Sequence, residues 1–245
     1  METDASALLK EGERIDDLEF KGLRLIQDGR HFCFGTDSVL LADSVRAKPS
    51  ERIIDIGSGT GFLATMIHAE TGASTVGIEL QTELYDMSVR SRALNGLDGV
   101  EFYNMDLRDA PERFGDGSFD AAVCNPPYFS GGVSNSAATF TQSRHECTCD
   151  ISDVARCCKR LVRYGGRLYT VYPTKGLFRL ADALTGNGFK ILRCRLVSSF
   201  ENKPPYIALV EAKRGDGFSD TEWSCMTLYK PDGTYTDEAR RIYGR

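Results

Sequence analysis

A strand, a glycine loop and a helix, adjacent in the chain, restrict the fold more than any other feature. Arg52 to Ile56 is an apolar run typical of a buried strand, and three glycines follow it at once. A helix predicted to end at about Thr71, with Gly72 past its end, comes next. Glycines at such a turn let the backbone approach a ligand, and the helix N-terminus directs N–H groups toward it. The three loop glycines are Gly57, Gly59 and Gly61.

The spacing of these glycines excludes two common phosphate-binding loops. A dinucleotide-binding loop reads G-x-G-x-x-G, whereas the third glycine here falls one residue early, Phe62 stands in its place, and a Walker lysine is missing. Glu79 lies at the tip of the next predicted strand, Ser74 to Ile78, about 20 residues downstream, where an acidic side chain binds ribose hydroxyls. We therefore predict a ligand with a ribose and without a diphosphate. The alternative is a tight turn that binds nothing.

A second candidate centre is the stretch Asn125 to Phe129, which follows a short apolar strand. Strands this apolar are typical of parallel sheets, whose chemistry lies at the carboxyl ends of the strands. Pro126 and Pro127 have no N–H to donate and stiffen the backbone, so the Asn125 side chain and the Pro126 carbonyl present acceptors. Two acceptors fit an amine with two hydrogens, and Tyr128 offers its face to a planar ring. The stretch predicts an aryl amine as substrate.

Charge is divided unevenly along the chain. The net charge is −5, but residues 1–150 carry 13 Lys and Arg against 25 Asp and Glu, a balance of −12. Residues 151–245 carry 17 against 10, a balance of +7. A basic C-terminal part is typical of a protein that binds a polyanion. For four of these cations a solvated helix face is an equally good explanation: Arg156, Lys159, Arg160 and Arg163.

Composition excludes fibrous and disordered proteins, since 41% of the residues are hydrophobic and 27% are charged. No stretch approaches the ~18 apolar residues of a membrane span, and the first residues lack a secretory signal, so we expect a cytoplasmic protein. Its eight cysteines are then expected as free thiols. His145, Glu146, Cys147 and Cys149 lie close together, but they lack the CxxC spacing of common zinc sites, and we expect no metal.

The rest of the pattern predicts a single domain over residues 1–245, with a core from residue 51 onward. Residues 1–16 are weakly patterned and predicted to be flexible. Residues 17–50 predict a small hairpin, Leu18 to Ile26 with His31 to Phe34, and then a helix capped by Thr36 or Asp37.

Two further segments bear on the sheet and on the site. Phe189 to Leu196 and Tyr206 to Ala212 predict an antiparallel pair at one sheet edge, because no long helix separates them. Asp106, just past the strand Val100 to Asn104, is a candidate acceptor for an adenine amine or else a turn aspartate. The glycine- and serine-rich stretch 130–136 predicts a mobile loop beside the site.

With these residues in view, the chain resembles the class I S-adenosylmethionine-dependent methyltransferases, whose glycine loop reads like Asp55 to Gly61. Asn125-Pro126-Pro127-Tyr128 is similar to the catalytic motif of their amino-methylating branch. Gln27, Phe32 to Ala42, Arg144-His145-Glu146 and Pro231 to Thr236 look like the tRNA1(Val) (adenine(37)-N6)-methyltransferase family, and this resemblance extends over nearly the whole chain. We assign no role to Arg144-His145-Glu146.

The resemblance implies a seven-stranded Rossmann-like sheet, mostly parallel with an antiparallel edge strand and with helices on both faces. It implies S-adenosylmethionine as the cofactor and S-adenosylhomocysteine as its product. The residues implied to bind the cofactor are Thr36, Asp37, Asp55, Gly57, Gly59, Gly61, Glu79, Asp106, Leu107 and Asn125. The implied catalytic residues are Asn125, Pro126, Pro127 and Tyr128.

The implied reaction is methylation of N6 of the adenosine next to a tRNA anticodon, at position 37. Tyr128 and Phe129 would contact the base, since aromatic faces stack on bases. Basic residues of the C-terminal part would hold phosphates, which position a substrate without specifying its sequence. The candidates are Lys203, Lys213, Arg214, Arg240 and Arg241.

Other activities share the same motif. A protein-glutamine N5-methyltransferase would present the same amide hydrogens, although the basic C-terminal part fits phosphates better than a peptide. An enzyme for guanine N2 or for adenine N6 of another nucleic acid is also open, but a DNA enzyme would normally need a further module for reading duplex sequence. A non-catalytic subunit that binds a cofactor or RNA is a further alternative, and the presence of an intact glycine loop and an intact Asn-Pro-Pro-Tyr motif in one chain argues against it.

Overall fold

The structure is a computed structural model that describes residues 8–126, 150–217 and 220–244. Its strands are β1 (Glu13–Asp17), β2 (Arg24–Asp28), β3 (Arg52–Ile56), β4 (Ser74–Glu79), β5 (Val100–Asn104), β6 (Phe119–Cys124), β7 (Val162–Pro173), β8 (Phe189–Phe200), β9 (Ile207–Arg214) and β10 (Glu222–Tyr229). Its α-helices are α1 (Thr36–Ser44), α2 (Phe62–Thr71), α3 (Thr82–Asn95), α4 (Ala110–Phe114), α5 (Ile151–Leu161), α6 (Leu177–Gly186) and α7 (Asp237–Tyr243).

Strands β3 to β10 form one sheet in the order β10-β8-β9-β7-β6-β3-β4-β5. β9 runs antiparallel to both of its neighbours, β7 and β8, and the other pairs are parallel. Two clusters of buried apolar side chains hold the helices against the sheet. This is the arrangement of a sheet between two helical layers. The predicted Rossmann-like α/β class, with a mostly parallel sheet, is confirmed.

β10 adds an eighth strand to the seven that were predicted. It pairs in parallel with β8, so the antiparallel pair of β8 and β9 lies one strand inside the edge. The first four residues of β10, including Trp223, are exposed, and only Met226 and Leu228 are buried. An edge strand is paired on one side and buries few side chains, so its sequence shows little of the alternation that identifies a strand.

The N-terminal hairpin is present but starts earlier than predicted. β1 and β2 pair with Ile15 opposite Ile26, whereas His31 to Phe34 is not a strand. Four of the five residues of β1 are charged, so its sequence lacks the apolar alternation of a strand. The Glu13 carboxylate pairs with Arg90 of α3, at 2.6 Å between Oε2 and Nη1, and both side chains are largely buried. β1, most of which lies in the segment that the local pattern predicted to be flexible, is thus an ordered strand that a tertiary ion pair links to α3.

The register of the central strands brings three candidate segments to one edge. Ile56 of β3 lies opposite Cys124 of β6 and opposite Ile78 of β4. The residues that follow these three are Gly57, Asn125 and Glu79. Because neighbouring strands lie about 4.8 Å apart, the glycine loop starts about 5 Å from the end of β6, and Glu79 lies about 10 Å from it. The two centres predicted from the sequence therefore lie side by side, at the carboxyl ends of neighbouring strands.

Candidate active site

The glycine loop is fixed to the end of β4 by its own backbone. The N–H groups of Gly57 and Ser58 donate to the Ile78 carbonyl at 2.9 and 3.0 Å. The Gly59 N–H donates to Glu79 Oε2 at 2.9 Å. These three groups are used inside the protein, which differs from the expectation that loop N–H groups face the ligand. The loop therefore offers few donors to a diphosphate, in agreement with the ligand predicted from the glycine spacing.

The three loop glycines have different structural roles. Gly57 and Gly59 have φ of +71° and +55°, and a Cβ added at either would meet no atom within 4 Å. Both need the left-handed backbone, and both border open space. Gly61, at φ +89°, is packed instead, because an added Cβ would lie 2.5 Å from the Phe102 ring of β5. The first two glycines leave room for a ligand, and Gly61 allows α2 to pack closely on the sheet.

Glu79 holds the loop in place and retains capacity for a ligand. Its side chain is buried; Oε2 accepts from Gly59 N–H at 2.9 Å, and Oε1 accepts from Gln81 N–H at 2.8 Å. Burial raises the pKa of Glu79, and the backbone N–H groups oppose that shift. Each carboxylate oxygen can accept a second hydrogen bond. A ribose hydroxyl can therefore bind without displacing the loop.

Asp55, at the end of β3, carries a buried oxygen without a partner. Oδ2 accepts from Ala64 N–H in the first turn of α2 at 3.2 Å, and Oδ1 has no hydrogen-bond partner in the part of the chain that the structure describes. Burial raises the pKa of Asp55 to about 7, the Ala64 N–H opposes this, and the Glu79 carboxylate adds to it. The Ser58 hydroxyl is likewise buried without a described partner. Buried polar atoms of this kind need a polar partner, such as the amino group of a ligand.

The raised pKa of Asp55 predicts a pH effect on stability. Its ordinary pKa is 3.8, so between that pH and about 7 the folded protein keeps a proton that the unfolded chain has lost. The stability that this bound proton contributes is fully present below the pKa of Asp55 in the unfolded chain, and it is lost as the pH rises through the pKa of Asp55 in the folded protein. Asp55→Asn lacks this titration. In urea titrations from pH 4.5 to 7.5, the wild-type free energy of unfolding should fall relative to that of Asp55→Asn by up to about 1.4 kcal/mol per pH unit. Parallel curves would contradict a raised pKa.

The segment before α1 reaches the site by packing on α2. The Phe34 ring stacks on Phe62 with centroids 4.2 Å apart and an interplanar angle of 11°. The Phe34 N–H donates to the side-chain oxygen of the buried Gln27 at 3.2 Å. Phe62 is the first residue of α2, directly after the glycine loop. The stack therefore brings the first turn of α1 beside the loop.

Thr36 and Asp37 lie in that first turn. The helix starts at Thr36, its N-cap is the extended Gly35, and no side chain caps it, so the predicted capping by Thr36 or Asp37 is wrong. Burial raises the pKa of Tyr243 to about 12, with the neighbouring Thr36 side chain opposing the shift. Burial also raises the pKa of Tyr206, and the Asp37 carboxylate adds to it. Thr36 and Asp37 therefore lie near two tyrosines of the C-terminal part of the chain.

Asn125 is held from the same helix. It is half-buried after β6, and its side-chain Nδ2 donates to the Ser38 hydroxyl at 3.0 Å. Pro126, the next residue, is buried. The contact with Ser38 was not predicted, because 87 positions separate the two residues and no local pattern links them. The other motif residues and the stretch without an assigned role lie outside the described residues: Pro127, Tyr128, Phe129, Arg144, His145 and Glu146.

Asp106 and Leu107 follow β5 at this edge. The Asp106 carboxylate accepts from the Arg108 N–H at 2.9 Å and forms an ion pair with the Arg108 guanidinium. The hydrogen bond from Arg108 lowers the pKa of Asp106, and burial opposes that shift. Asp106 therefore caps the short 3-10 turn Leu107–Asp109, as the turn alternative predicted. A contact of either residue with adenine stays a prediction.

The basic residues predicted to hold phosphates lie on two edges of the sheet, which are the edges formed by the opposite ends of its strands. Lys203 follows β8, whose carboxyl end lies at the edge of Asn125. Lys213 and Arg214 end β9, which runs the other way, and Arg214 lies opposite Phe189, the first residue of β8. The length of β9 separates the two edges by about 23 Å. The remaining two, both exposed on α7, are Arg240 and Arg241.

In residues 8–126, 150–217 and 220–244, no group of three or more His, Cys, Asp or Glu side chains is arranged to hold a metal ion. Cys147 and Cys149, the pair weighed in the sequence, are not among these residues. No helix in these ranges has both the length and the apolar character that a membrane span requires.

Comparison with known proteins finds one matching family and several similar proteins. Residues 32–147 match the family described as the methyltransferase small domain. The chain is 24% identical over 240 residues to a tRNA1(Val) (adenine(37)-N6)-methyltransferase of Shewanella sediminis, covering 91% of this chain and 95% of that protein. It is 27% identical over 224 residues to a protein of the same name from Tolumonas auensis, covering 89% and 91%.

A solved structure agrees at the level of the fold. The crystal structure of a predicted O-methyltransferase from Agrobacterium tumefaciens superposes with a TM-score of 0.65 at 19% identity, covering 85% of this chain and 95% of that one. At this identity the likeness concerns the fold alone. The site described above lies within or beside the segment that matches the family. The chain is therefore a methyltransferase: its residues 32–147 match the methyltransferase small domain family, and nearly its whole length is similar to the tRNA1(Val) (adenine(37)-N6)-methyltransferases.

Proposed function

We propose that this enzyme transfers a methyl group from S-adenosylmethionine to N6 of adenosine 37 of a tRNA in the cytoplasm. The observation that carries the proposal is the register of β3 and β6, which places the glycine loop about one strand spacing from Asn125. A methyl donor in the loop and an amine at the end of β6 would then be neighbours. The names of the relatives support adenosine 37 as the target.

The groups around the loop fit S-adenosylmethionine. Glu79 has acceptor capacity for the ribose hydroxyls, and Gly57 and Gly59 leave open space for the chain of the ligand. The unpartnered Oδ1 of Asp55 is a buried acceptor suited to an amino group. When bound, the cofactor supplies an electrophilic methyl group on a sulfonium. Thr36 and Asp37 would close the site from the N-terminal side.

Asn125 and Pro126 would activate the substrate amine. The lone pair of an adenine amine is delocalised into the ring, so the amine is a poor nucleophile. Hydrogen bonds from its two hydrogens to the Asn125 side-chain oxygen and the Pro126 carbonyl favour a more tetrahedral nitrogen. These bonds strengthen as positive charge develops on that nitrogen in the transition state. No prior deprotonation is required, because the cationic product loses its proton readily.

The edge beyond Asn125 is suited to unpaired nucleotides. Phe178, near the carboxyl end of β7, is 88% exposed, and Tyr206, at the start of β9, is 40% exposed. Lys175 and Lys203 lie on the same edge, and neither forms an ion pair with any residue that the structure describes. Aromatic faces and cations together bind single-stranded RNA, and a base in an anticodon loop is already partly unstacked.

Transfer of label tests the proposed function. Purified protein with labelled S-adenosylmethionine and total tRNA should yield labelled N6-methyladenosine after digestion to nucleosides, and mapping should place it at position 37. A release-factor peptide and a DNA oligonucleotide serve as competing substrates. Methylation of a glutamine in the peptide, or of DNA, with no label in tRNA would overturn the proposal.

The positions of Lys203 and Lys213 at opposite ends of the strands predict different salt effects on tRNA binding. Lys203→Gln removes a cation on the edge of Asn125, and we expect it to flatten the slope of log Kd against log salt by about 0.7–0.9. Lys213→Gln is the matched control, because it makes the same change at the opposite edge and should leave the slope unaltered. Filter-binding titrations over a series of KCl concentrations measure both. Equal slopes for Lys203→Gln and wild type would remove Lys203 from the tRNA surface.

A further inference from the structure

Ser38 touches the candidate catalytic amide from a distant element. Its hydroxyl oxygen accepts a hydrogen bond from Asn125 Nδ2 at 3.0 Å. Ser38 is the third residue of α1 and is 4% exposed, so water does not compete for this contact. Asn125 comes from the end of β6. The bond therefore joins the N-terminal helix to the central sheet through the side-chain nitrogen of Asn125.

The position of Ser38 is fixed by its own surroundings. Its N–H donates to the Gly35 carbonyl at 3.0 Å, which starts the helix. The residue before Gly35, Phe34, stacks on Phe62 of α2, and its N–H bonds the buried Gln27 side chain. The hydroxyl is thus placed by contacts with both the hairpin and the helix of the glycine loop. Such a group can orient a neighbour with little freedom of its own.

Orientation matters for an asparagine that binds an amine. The amide carries an acceptor oxygen on one side and a donor nitrogen on the other, and rotation by half a turn exchanges them. A substrate amine needs the oxygen, because the nitrogen would set donor against donor. Ser38 takes the nitrogen, because its hydroxyl oxygen, which has two acceptor lone pairs, accepts the hydrogen bond from Asn125 Nδ2. This contact directs the amide oxygen elsewhere.

We propose that Ser38 is a positioning residue for methyl transfer, which keeps the Asn125 side-chain oxygen turned toward the substrate amine. This inference rests on the proposed function, in which Asn125 accepts from that amine. In this role Ser38 acts through Asn125 and not through a contact of its own with substrate or cofactor. Loss of the Ser38 hydroxyl should therefore slow the chemical step and leave the binding of tRNA and of S-adenosylmethionine nearly unchanged.

Ser38→Ala tests the inference, with Ser44→Ala as the matched control. Ser44 lies on the same helix and also makes one hydrogen bond, to the Leu41 carbonyl at 2.7 Å, away from Asn125. We expect Ser38→Ala to lower kcat roughly tenfold, because the amide loses one buried hydrogen bond. KM for tRNA and the Kd for S-adenosylmethionine should stay within about twofold of wild type. Ser44→Ala should keep the wild-type kcat.

Two isosteric variants separate position from stability. Ser38→Thr keeps the hydroxyl, and Ser38→Val has the same shape without it. If both fold with the same Tm, the threonine variant should retain most of the wild-type kcat and the valine variant should show the alanine loss. Equal kcat in these two variants, or a loss in Ser38→Ala no larger than in Ser44→Ala, would overturn the role of Ser38 alone. A wild-type protein that methylates no tRNA would overturn the proposed function and this inference with it.

Discussion

Asn125→Ala is expected to lower kcat for tRNA methylation by at least about a hundredfold, while the Kd for S-adenosylmethionine stays within about twofold of wild type. Removal of one preorganised hydrogen bond to a group that develops charge costs a factor of about 10²–10³ in rate. The cofactor effect is small because Glu79 and the loop glycines, and not this side chain, surround the proposed ribose and amino-acid positions. Single-turnover assays and calorimetry measure the two quantities separately.

Asn187→Ala is the matched control for this variant. Asn187 is a half-buried asparagine at the end of α6, and its side chain bonds the Ala183 carbonyl at 2.8 Å. The Asn187→Ala variant therefore loses a comparable contact far from the carboxyl ends of the central strands, and its kcat should equal that of wild type. A loss of cofactor affinity in Asn125→Ala that matched its loss of activity would show that the side chain binds the cofactor and does not act on the amine.

Glu79→Ala should have the opposite signature, a Kd for S-adenosylmethionine raised at least about tenfold with kcat largely restored at saturating cofactor. Each charge-assisted hydrogen bond to a ribose hydroxyl contributes about 1.5–3 kcal/mol. The structure adds a second cause, because the variant also frees the N–H groups of Gly59 and Gln81 that Glu79 binds. The loop is then less well held, and the Tm should fall as well.

Glu79→Gln separates the two causes. Its amide keeps one oxygen that can accept from a loop N–H but loses the negative charge and one acceptor. If the charge matters for ribose binding, Glu79→Gln should show most of the loss in affinity with a smaller fall in Tm. An unchanged Kd in both variants would remove Glu79 from the cofactor site.

Local pattern was sufficient for the elements that form the centre of the sheet. β3, the helix α2 with Gly72 past its end, and the positions of Glu79 and Asn125 follow from the sequence. Each is a short apolar run with a turn signal beside it, and parallel strands in a covered sheet need little else. Because such strands share one direction, their carboxyl ends meet, and the joining of the two centres was predictable as well.

Contacts between distant segments decided the rest. β1 is highly charged and its Glu13 forms an ion pair with Arg90 of α3, β10 is half exposed, and Ser38, which bonds Asn125, lies 87 positions away on α1. None of these features produces a periodic hydrophobic pattern in the local sequence, because each depends on which surfaces the fold brings together. The same holds for the basic C-terminal part. Its net charge is a property of composition, but the reversed direction of β9 puts Lys213 at the edge opposite Lys203. Only the topology of the sheet could distinguish them, because a strand pairs by register and direction and not by the charge it carries.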